Sequence, residues 1–268
     1  MIRVAICGIA GRMCGRIAHL ILDTDDLALS GGVEAPHTPA VGRDIGEVIG
    51  ARHLGIQVVA DLKAAVDAAD VVVAFTAPPD ATVTAAEISG SAGKPMVVGT
   101  TGMSADQIGA MKDALKDAAC VFAPNFSVGI SLLIKLVEEA ARILGADYDV
   151  EVVEAHHRLK ADAPSGTALA LAQAAAAGLD RRLDEVGIYG RHGAVGKRTR
   201  EEIGVHAVRG GDIVGEHTVM FGGIGETIRL EHRAQSRDTF AVGTLRAIRF
   251  AADAAPGIYD MRDVLGIR

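Results

Sequence analysis

The stretch VAICGIAGRMCGRIAHL, Val4 to Leu20, decides how the first half of the chain is read. A β-branched run, IRVAIC at 2–7, stops at Gly8, and an amphipathic segment follows from about Gly11 to Asp23. Strand, glycine turn and helix is the order that binding a pyrophosphate requires. The glycines permit a tight turn and close backbone approach, and the helix N-terminus presents N–H groups to the phosphates. The spacing here is Gly8-x-x-Gly11-x-x-Cys14, with Ala10 and Cys14 where the usual fingerprint has its second and third glycines. A tight turn with no ligand would give a similar local pattern, so the rest of the chain has to discriminate.

Downstream, short apolar runs alternate with helical patterns. LALSGGVE (27–34), IQVVA (56–60), DVVVAF (70–75), PMVVGT (95–100) and ACVFA (119–123) read as strands, with a helix over about 104–117 and a loop over 35–50. The runs are continuously apolar, as expected when both faces of a sheet are covered, which predicts a Rossmann-type, doubly wound parallel α/β sheet. After Asn125 the pattern changes. SVGISLLIKLVEEAARILG (127–145) is a long amphipathic helix, YDVEVVEA (148–155) alternates, a helix is expected over about 166–178, and 204–233 holds two or three alternating strands. That is the mark of a mixed or antiparallel sheet with one solvated face, an α+β arrangement. The expected organisation is a dinucleotide-binding domain at 1–126, a second domain at 127–236, and a C-terminal helix within 237–268 that returns to the first.

Composition narrows the function classes. Of 268 residues, 49% are apolar and 23% charged, which suits a globular protein and argues against disorder. A formal charge of −7 disfavours a nucleic-acid binder, although a local pocket can still be cationic. No membrane span and no secretory leader are read, and Cys7, Cys14 and Cys120 have neither disulfide nor zinc-ligand spacing. Buried thiols in a reducing cytoplasm are expected, and no metal.

Within the first domain, Glu34 ends the second strand about twenty residues beyond the turn, where an acidic side chain meets the adenosine ribose. A carboxylate there favours NADH over NADPH, and Ala35 supplies no cation for a 2′-phosphate, although Arg12 in the turn partly serves. The loops FTAPPD (75–80), with Phe75 and Thr76, and GTTGM (99–103) lie at strand C-termini, where open α/β sheets bind ligands, and suit a flat nicotinamide. APNFSVG (123–129) falls at the junction of the two halves.

The second concentration of chemistry is EAHHRLKADAPSGTA, 154–168. His156 and His157 follow a strand, where successive side chains face opposite ways, so the two are expected to take different tasks. One of them suits a general acid, since imidazole ordinarily titrates near pH 6.5. Lys160 adds a cation. Ser165 or Thr167 caps the next helix, and Ser165-Gly166-Thr167 also offers hydroxyls and free N–H groups to a carboxylate. A plain surface loop with a helix cap is the competing reading, and a metal site lacks the carboxylates or cysteines to complete it.

With these residues in place the chain resembles the 4-hydroxy-tetrahydrodipicolinate (dihydrodipicolinate) reductases of bacterial and plant lysine biosynthesis, nearly end to end. GIAGRM, GTTG at 99–102, APNFSVG, EAHHRLKADAPSGTA, GGDIVGEHTVMF and SRDTFAVG occur in family order. The resemblance implies reduction of a cyclic unsaturated dicarboxylate to tetrahydrodipicolinate with NADH or NADPH. It makes His156 the proton donor, with Lys160 as a second acid or cation. His157, Lys160, Ser165, Gly166 and Thr167 hold the substrate's carboxylates. Gly8, Ile9, Ala10, Gly11, Arg12 and Met13 cradle the pyrophosphate, and Glu34 takes the ribose. Gly99, Thr100 and Thr101, with Ala123, Pro124, Asn125 and Phe126, line the nicotinamide end. It further implies a cytoplasmic homotetramer assembled through the second domain. Three positions depart from the family pattern: Cys14 for Gly, Ala74 for Asp and Ser131 for Asn. A related two-domain dehydrogenase acting on a small amino acid is the alternative; it has no need of a His-His-Lys and Ser-Gly-Thr pair for two carboxylates.

Overall fold

A computed structural model describes residues 1–267, which form two compact units: residues 1–127 with 238–267, and residues 128–237.

In the first unit, strands β1 (Ile2–Cys7), β2 (Leu27–Val33), β3 (Val58–Val59), β4 (Val71–Ala74), β5 (Met96–Val98) and β6 (Ala119–Phe122) alternate with helices α1 (Arg12–Leu22), α2 (Ile45–Ile49), α3 (Leu62–Asp67), α4 (Asp80–Ser91) and α5 (Ala105–Ala114). All strand pairs are parallel, and the sheet order is β12-β6-β5-β4-β1-β2-β3, where β12 is Gly257–Tyr259. The reversal of order between β1 and β4 is the topological switch at which such sheets bind ligands.

The apolar runs are explained by two cores. Val71 and Val73 of β4 face one core together with Ile17 and Ile21 of α1 and Leu245 and Ile248 of α9 (Asp238–Asp253). Val72 and Ala74 face the other, with Ala85 and Ala86 of α4 and Met111 of α5. Each fully buried valine or isoleucine contributes about 1.5–3 kcal/mol, so a strand buried on both faces has no use for polar alternation. Cys14 fills a gap at this packing: its Sγ donates to the Cys7 carbonyl at 3.3 Å, and burial pushes both thiols up to about 12.

Two local expectations are corrected. The 35–50 loop contains α2, because the Asp44 carboxylate caps it through Gly46 N–H and also accepts from Leu54 and Ile56 N–H. The strand expected at 56–60 pairs only over Val58–Val59. The C-terminal helix expected within 237–268 is α9, which ends at Asp253 ahead of Pro256; the chain then adds β12 and α10 (Met261–Leu265), which the pattern did not show.

The second unit holds β7 (Asp149–His156), β8 (Gly187–Tyr189), β9 (Ile203–Arg209), β10 (Gly215–Gly222) and β11 (Thr227–Ala234) in the order β11-β10-β7-β9-β8. β10 runs antiparallel to both β7 and β11, while β9 runs parallel to β7 and β8, so the sheet is mixed. Helices α6 (Val128–Leu144) and α7 (Gly166–Gly178) cover one face, followed by the short α8 (Leu183–Val186). Val150 and Val152 of β7 and Val219 and Phe221 of β10 point into that core, which accounts for the alternation along both strands. The alanines of α7 and Gly178, where a Cβ would overlap the Glu138 carbonyl, let α7 pack closely on α6. Among the described residues no helix is long and apolar enough to cross a membrane.

Candidate active site

In the first unit the glycine turn is built as an anion cradle. Gly8 has φ +77°, a left-handed conformation that favours glycine, and a Cβ on Gly11 would stand 3.0 Å from the Gly8 carbonyl oxygen. Gly11 caps α1 with no side-chain hydrogen bond, and the first turn of α1 has no acidic residue. Its unspent N–H groups and the helix dipole therefore suit a phosphate. Ala10, Gly11 and Arg12 are exposed and Met13 half-buried, whereas the Ile9 side chain is buried in the core, so Ile9 offers a ligand only its backbone. Glu34 lies at the end of β2 with its Oε1 accepting from Ala10 N–H at 2.8 Å, which sets a carboxylate beside the turn.

The loops after β4, β5 and β6 meet in the same unit. Gly99 N–H donates to the Ala74 carbonyl at 2.9 Å, and a Cβ on Gly99 would overlap the Phe75 ring. Phe75 in turn packs against Phe126, ring centroids 5.3 Å apart. Thr100 Oγ1 accepts from Thr76 N–H at 3.0 Å and bonds to Thr82 Oγ1 at 2.6 Å, which reaches Thr76 Oγ1 at 2.7 Å. This hydroxyl ring ties the first two loops together, and Thr82, on α4, is a member that the motifs did not reveal. Ala123 N–H donates to the Val98 carbonyl at 3.2 Å, and Asn125 Oδ1 accepts from Ser127 N–H at 2.8 Å. Thr101 and Pro124 are exposed beside them.

In the second unit the centre is a fully buried carboxylate, Glu154. Glu154 and His156 are two residues apart on β7 and so share its inward face. Glu154 Oε2 meets His156 Nδ1 at 2.6 Å and Oε1 accepts from Ser165 N–H at 3.0 Å. Arg209, at the end of β9, donates to both oxygens at 2.8 Å, a bidentate pair. Burial alone would raise the Glu154 pKa, but the hydrogen bonds from Arg209, His156 and Ser165 outweigh it and hold the carboxyl below its ordinary value.

His217 of β10 is opposite Glu154 in register and meets the His156 ring edge-on, centroids 5.2 Å apart. Its Nε2 lies 3.3 Å from Ser165 Oγ, which also caps α7 by accepting from Ala168 N–H at 3.2 Å. Ser165 is thus turned inward, while Gly166 is exposed, with nothing within 4 Å of where a Cβ would sit, and Thr167 is half-buried. The first turn of α7 has no acidic residue. His157 turns away from His156; its N–H donates to the Ile213 carbonyl and its Nδ1 is enclosed without a hydrogen-bond partner. Lys160 Nζ pairs with Asp162 at 2.8 Å, which holds the Asp162 carboxyl below its usual range. A ligand carboxylate would compete with Asp162 for that cation.

Arg209 escaped the reading of the sequence, and Glu154 and His217 entered it only as letters of the motifs EAHHRLKADAPSGTA and GGDIVGEHTVMF. The signal was two-residue spacing: Glu154-x-His156 on one strand and His217-x-Val219-x-Phe221 on its neighbour place the polar groups in line with core residues.

Burial, with the His156 charge nearby, pushes the His217 pKa down from 6.5 to about 4. Between those values the folded state binds fewer protons than the unfolded chain, so the contribution of His217 is complete above about pH 6.5. It shrinks as the pH falls, by up to about 1.4 kcal/mol per pH unit, and levels off near pH 4. Urea unfolding from pH 7 to 4.5 should show a steeper loss in the native protein than in His217→Gln, and equal slopes would refute the assignment.

These two units, a doubly wound sheet with an anion-ready glycine turn and a mixed sheet carrying a buried Glu–His–Arg cluster, fit the class of two-domain dinucleotide-dependent oxidoreductases. The family descriptions "Dihydrodipicolinate reductase, N-terminus" and "Dihydrodipicolinate reductase, C-terminus" match residues 2–126 and 129–265, and the chain belongs to the dihydrodipicolinate reductase family. The 4-hydroxy-tetrahydrodipicolinate reductase of Syntrophobacter fumaroxidans is 49% identical over 268 residues, all of both chains. That of Rubrobacter xylanophilus is 50% identical over 265 residues, 99% of this chain and 98% of its own. Among solved structures, a dipicolinate-bound dihydrodipicolinate reductase from Paenisporosarcina sp. TG-14 matches with a TM-score of 0.77 at 25% identity, covering 97% of each chain.

Proposed function

We propose that this protein reduces 4-hydroxy-tetrahydrodipicolinate, by way of dihydrodipicolinate, to tetrahydrodipicolinate with NAD(P)H, in the diaminopimelate route to lysine. The observation that carries the proposal is a histidine, His156, backed by a buried carboxylate that also holds the first residue of an open helix N-terminus. That arrangement combines a proton donor with a seat for a carboxylate.

A reduced nicotinamide, when bound, would supply the hydride for C4 of the substrate ring. His156 delivers a proton to the neighbouring carbon. Lys160 exchanges Asp162 for a substrate carboxylate and serves as cation or second acid. His157, Ser165, Gly166 and Thr167 complete the seat for the two carboxylates, with Ser165 acting chiefly as the cap that orients the helix. In the first unit, Gly8 to Met13 hold the pyrophosphate. Phe75, Thr76, Gly99 to Thr101 and Ala123 to Phe126 shape the nicotinamide end, and Glu34 takes the ribose hydroxyls.

NADH serves at least as well as NADPH in this reading, because the Glu34 carboxylate repels a 2′-phosphate and the residue after it is Ala35. The protein works in the cytoplasm, consistent with three free, buried cysteines. It assembles as a homotetramer through the face of the second unit's sheet that leaves Val153 and Val208 exposed at 38% and 49%.

The test is oxidation of NADH, and separately of NADPH, by the enzymatically generated condensation product of pyruvate and aspartate semialdehyde. Turnover that pyridine-2,6-dicarboxylate inhibits is the expected result. No turnover with either nucleotide would overturn the proposal, and a strong preference for NADPH would overturn the argument from Glu34.

A further inference from the structure

The carboxylate of Glu154 touches two functions at once. One oxygen receives the His156 ring nitrogen at 2.6 Å, and the other receives the backbone N–H of Ser165 at 3.0 Å, at the residue that caps α7. Arg209 grips both oxygens from β9, also donating to the Asp162 carbonyl at 2.6 Å, so the carboxylate cannot rotate without breaking charged hydrogen bonds. We infer that Glu154, clamped by Arg209, is a positioning residue that locks the proton donor and the carboxylate-binding helix end into one frame, a reading that rests on His156 being the donor.

The chemistry follows from the atoms. A carboxylate that accepts at Nδ1 keeps the proton there and fixes the tautomer, so the mobile proton of His156 sits on Nε2. Nε2 has room because its neighbour on β10 is glycine: a Cβ on Gly215 would stand 3.2 Å from it. Ser165 N–H ties the N-terminus of α7 to the same carboxylate, so a shift of the donor and a shift of the anion seat are one movement. The charged or titratable groups around His156 are Glu154 on its own strand, Arg209 on β9, His217 on β10, His232 paired with His217 on β11, and Lys160 with Asp162 in the following loop.

Three proteins separate this role from simple support of the fold: wild type, Glu154→Gln, and the double variant Glu154→Gln/Arg209→Met. The amide keeps an acceptor oxygen and the shape but loses the charge. In Glu154→Gln we expect kcat to fall about 10²-fold, the low end for a misdirected acid–base group. KM should change far less, so that the loss falls on kcat. The double variant removes the guanidinium left without its counter-charge, so it regains thermal stability while kcat stays low. A double variant that regains kcat along with stability, or a Glu154→Gln enzyme with native kcat, would overturn the inference. Failure of the underlying reaction shows elsewhere, as absence of turnover in the wild type or native turnover in His156→Gln.

Discussion

Replacing His156 with Gln lowers kcat by about 10²–10⁴-fold, the usual cost of losing a general acid. Glutamine has a similar reach and can still donate to Glu154 Oε2, so the carboxylate keeps a partner and the buried pair with Arg209 keeps its charge balance. What glutamine lacks is a proton it can release near neutral pH. Because His156 belongs to the second unit and the glycine turn to the first, the affinity for the dinucleotide stays at its native value. Steady-state kinetics alongside a titration of nucleotide fluorescence checks both halves of this expectation. Native kcat in the variant would remove His156 as the donor, and lost nucleotide binding would mean that the substitution had disturbed more than the proton.

The second large effect is on stability. Gly243→Ala in α9 is expected to destabilise the first unit by about 3 kcal/mol, the upper end for an overpacked core. A Cβ at this position would overlap the carbonyl oxygen of Phe126, a backbone atom that cannot swing aside. Gly243 and Phe126 are both buried, and Phe126 holds the Phe75 ring over Gly99. Moving Phe126 therefore disturbs the loops after β4, β5 and β6 together. Calorimetry should show a lower midpoint, by roughly 6–12 °C for a chain of this size, and nucleotide binding should weaken. His156→Gln, by contrast, should leave the midpoint nearly unchanged.

The parallel sheet was legible because its strands are buried on both faces: Val71 to Ala74 can hardly be read as anything else. The mixed sheet was legible from alternation along 148–155 and 215–221. Elements that depend on a single distant contact were not. β12 is three residues after Pro256, and only pairing with β6 makes it a strand. α2 depends on the Asp44 carboxylate reaching N–H groups ten and twelve residues ahead.

The candidate site divides in the same way. Gly8, Gly11, His156, Lys160 and Ser165 stand inside compact motifs whose local pattern already suggests chemistry. Arg209 and His217 reach Glu154 and Ser165 from strands more than fifty residues further along, and no local pattern connects them. Ser165 was open to two readings, cap or ligand, because a helix N-terminus serves both with the same atoms. The structure commits its hydroxyl to Ala168 and His217.

The placement of α9 and β12 bears on how the protein is made. The second unit is one uninterrupted stretch, so its core can close once residues 128–237 have left the ribosome. The first unit cannot finish at the same time. Val97 and Val121 share their core with Ala241, Leu245 and Ile248, which are translated only after the whole second unit, and the edge of β6 waits for β12. During synthesis the nucleotide-binding half therefore carries an uncovered apolar face and an open strand edge while more than a hundred residues are added. That interval is when the nascent chain is most exposed to aggregation and has most use for a chaperone.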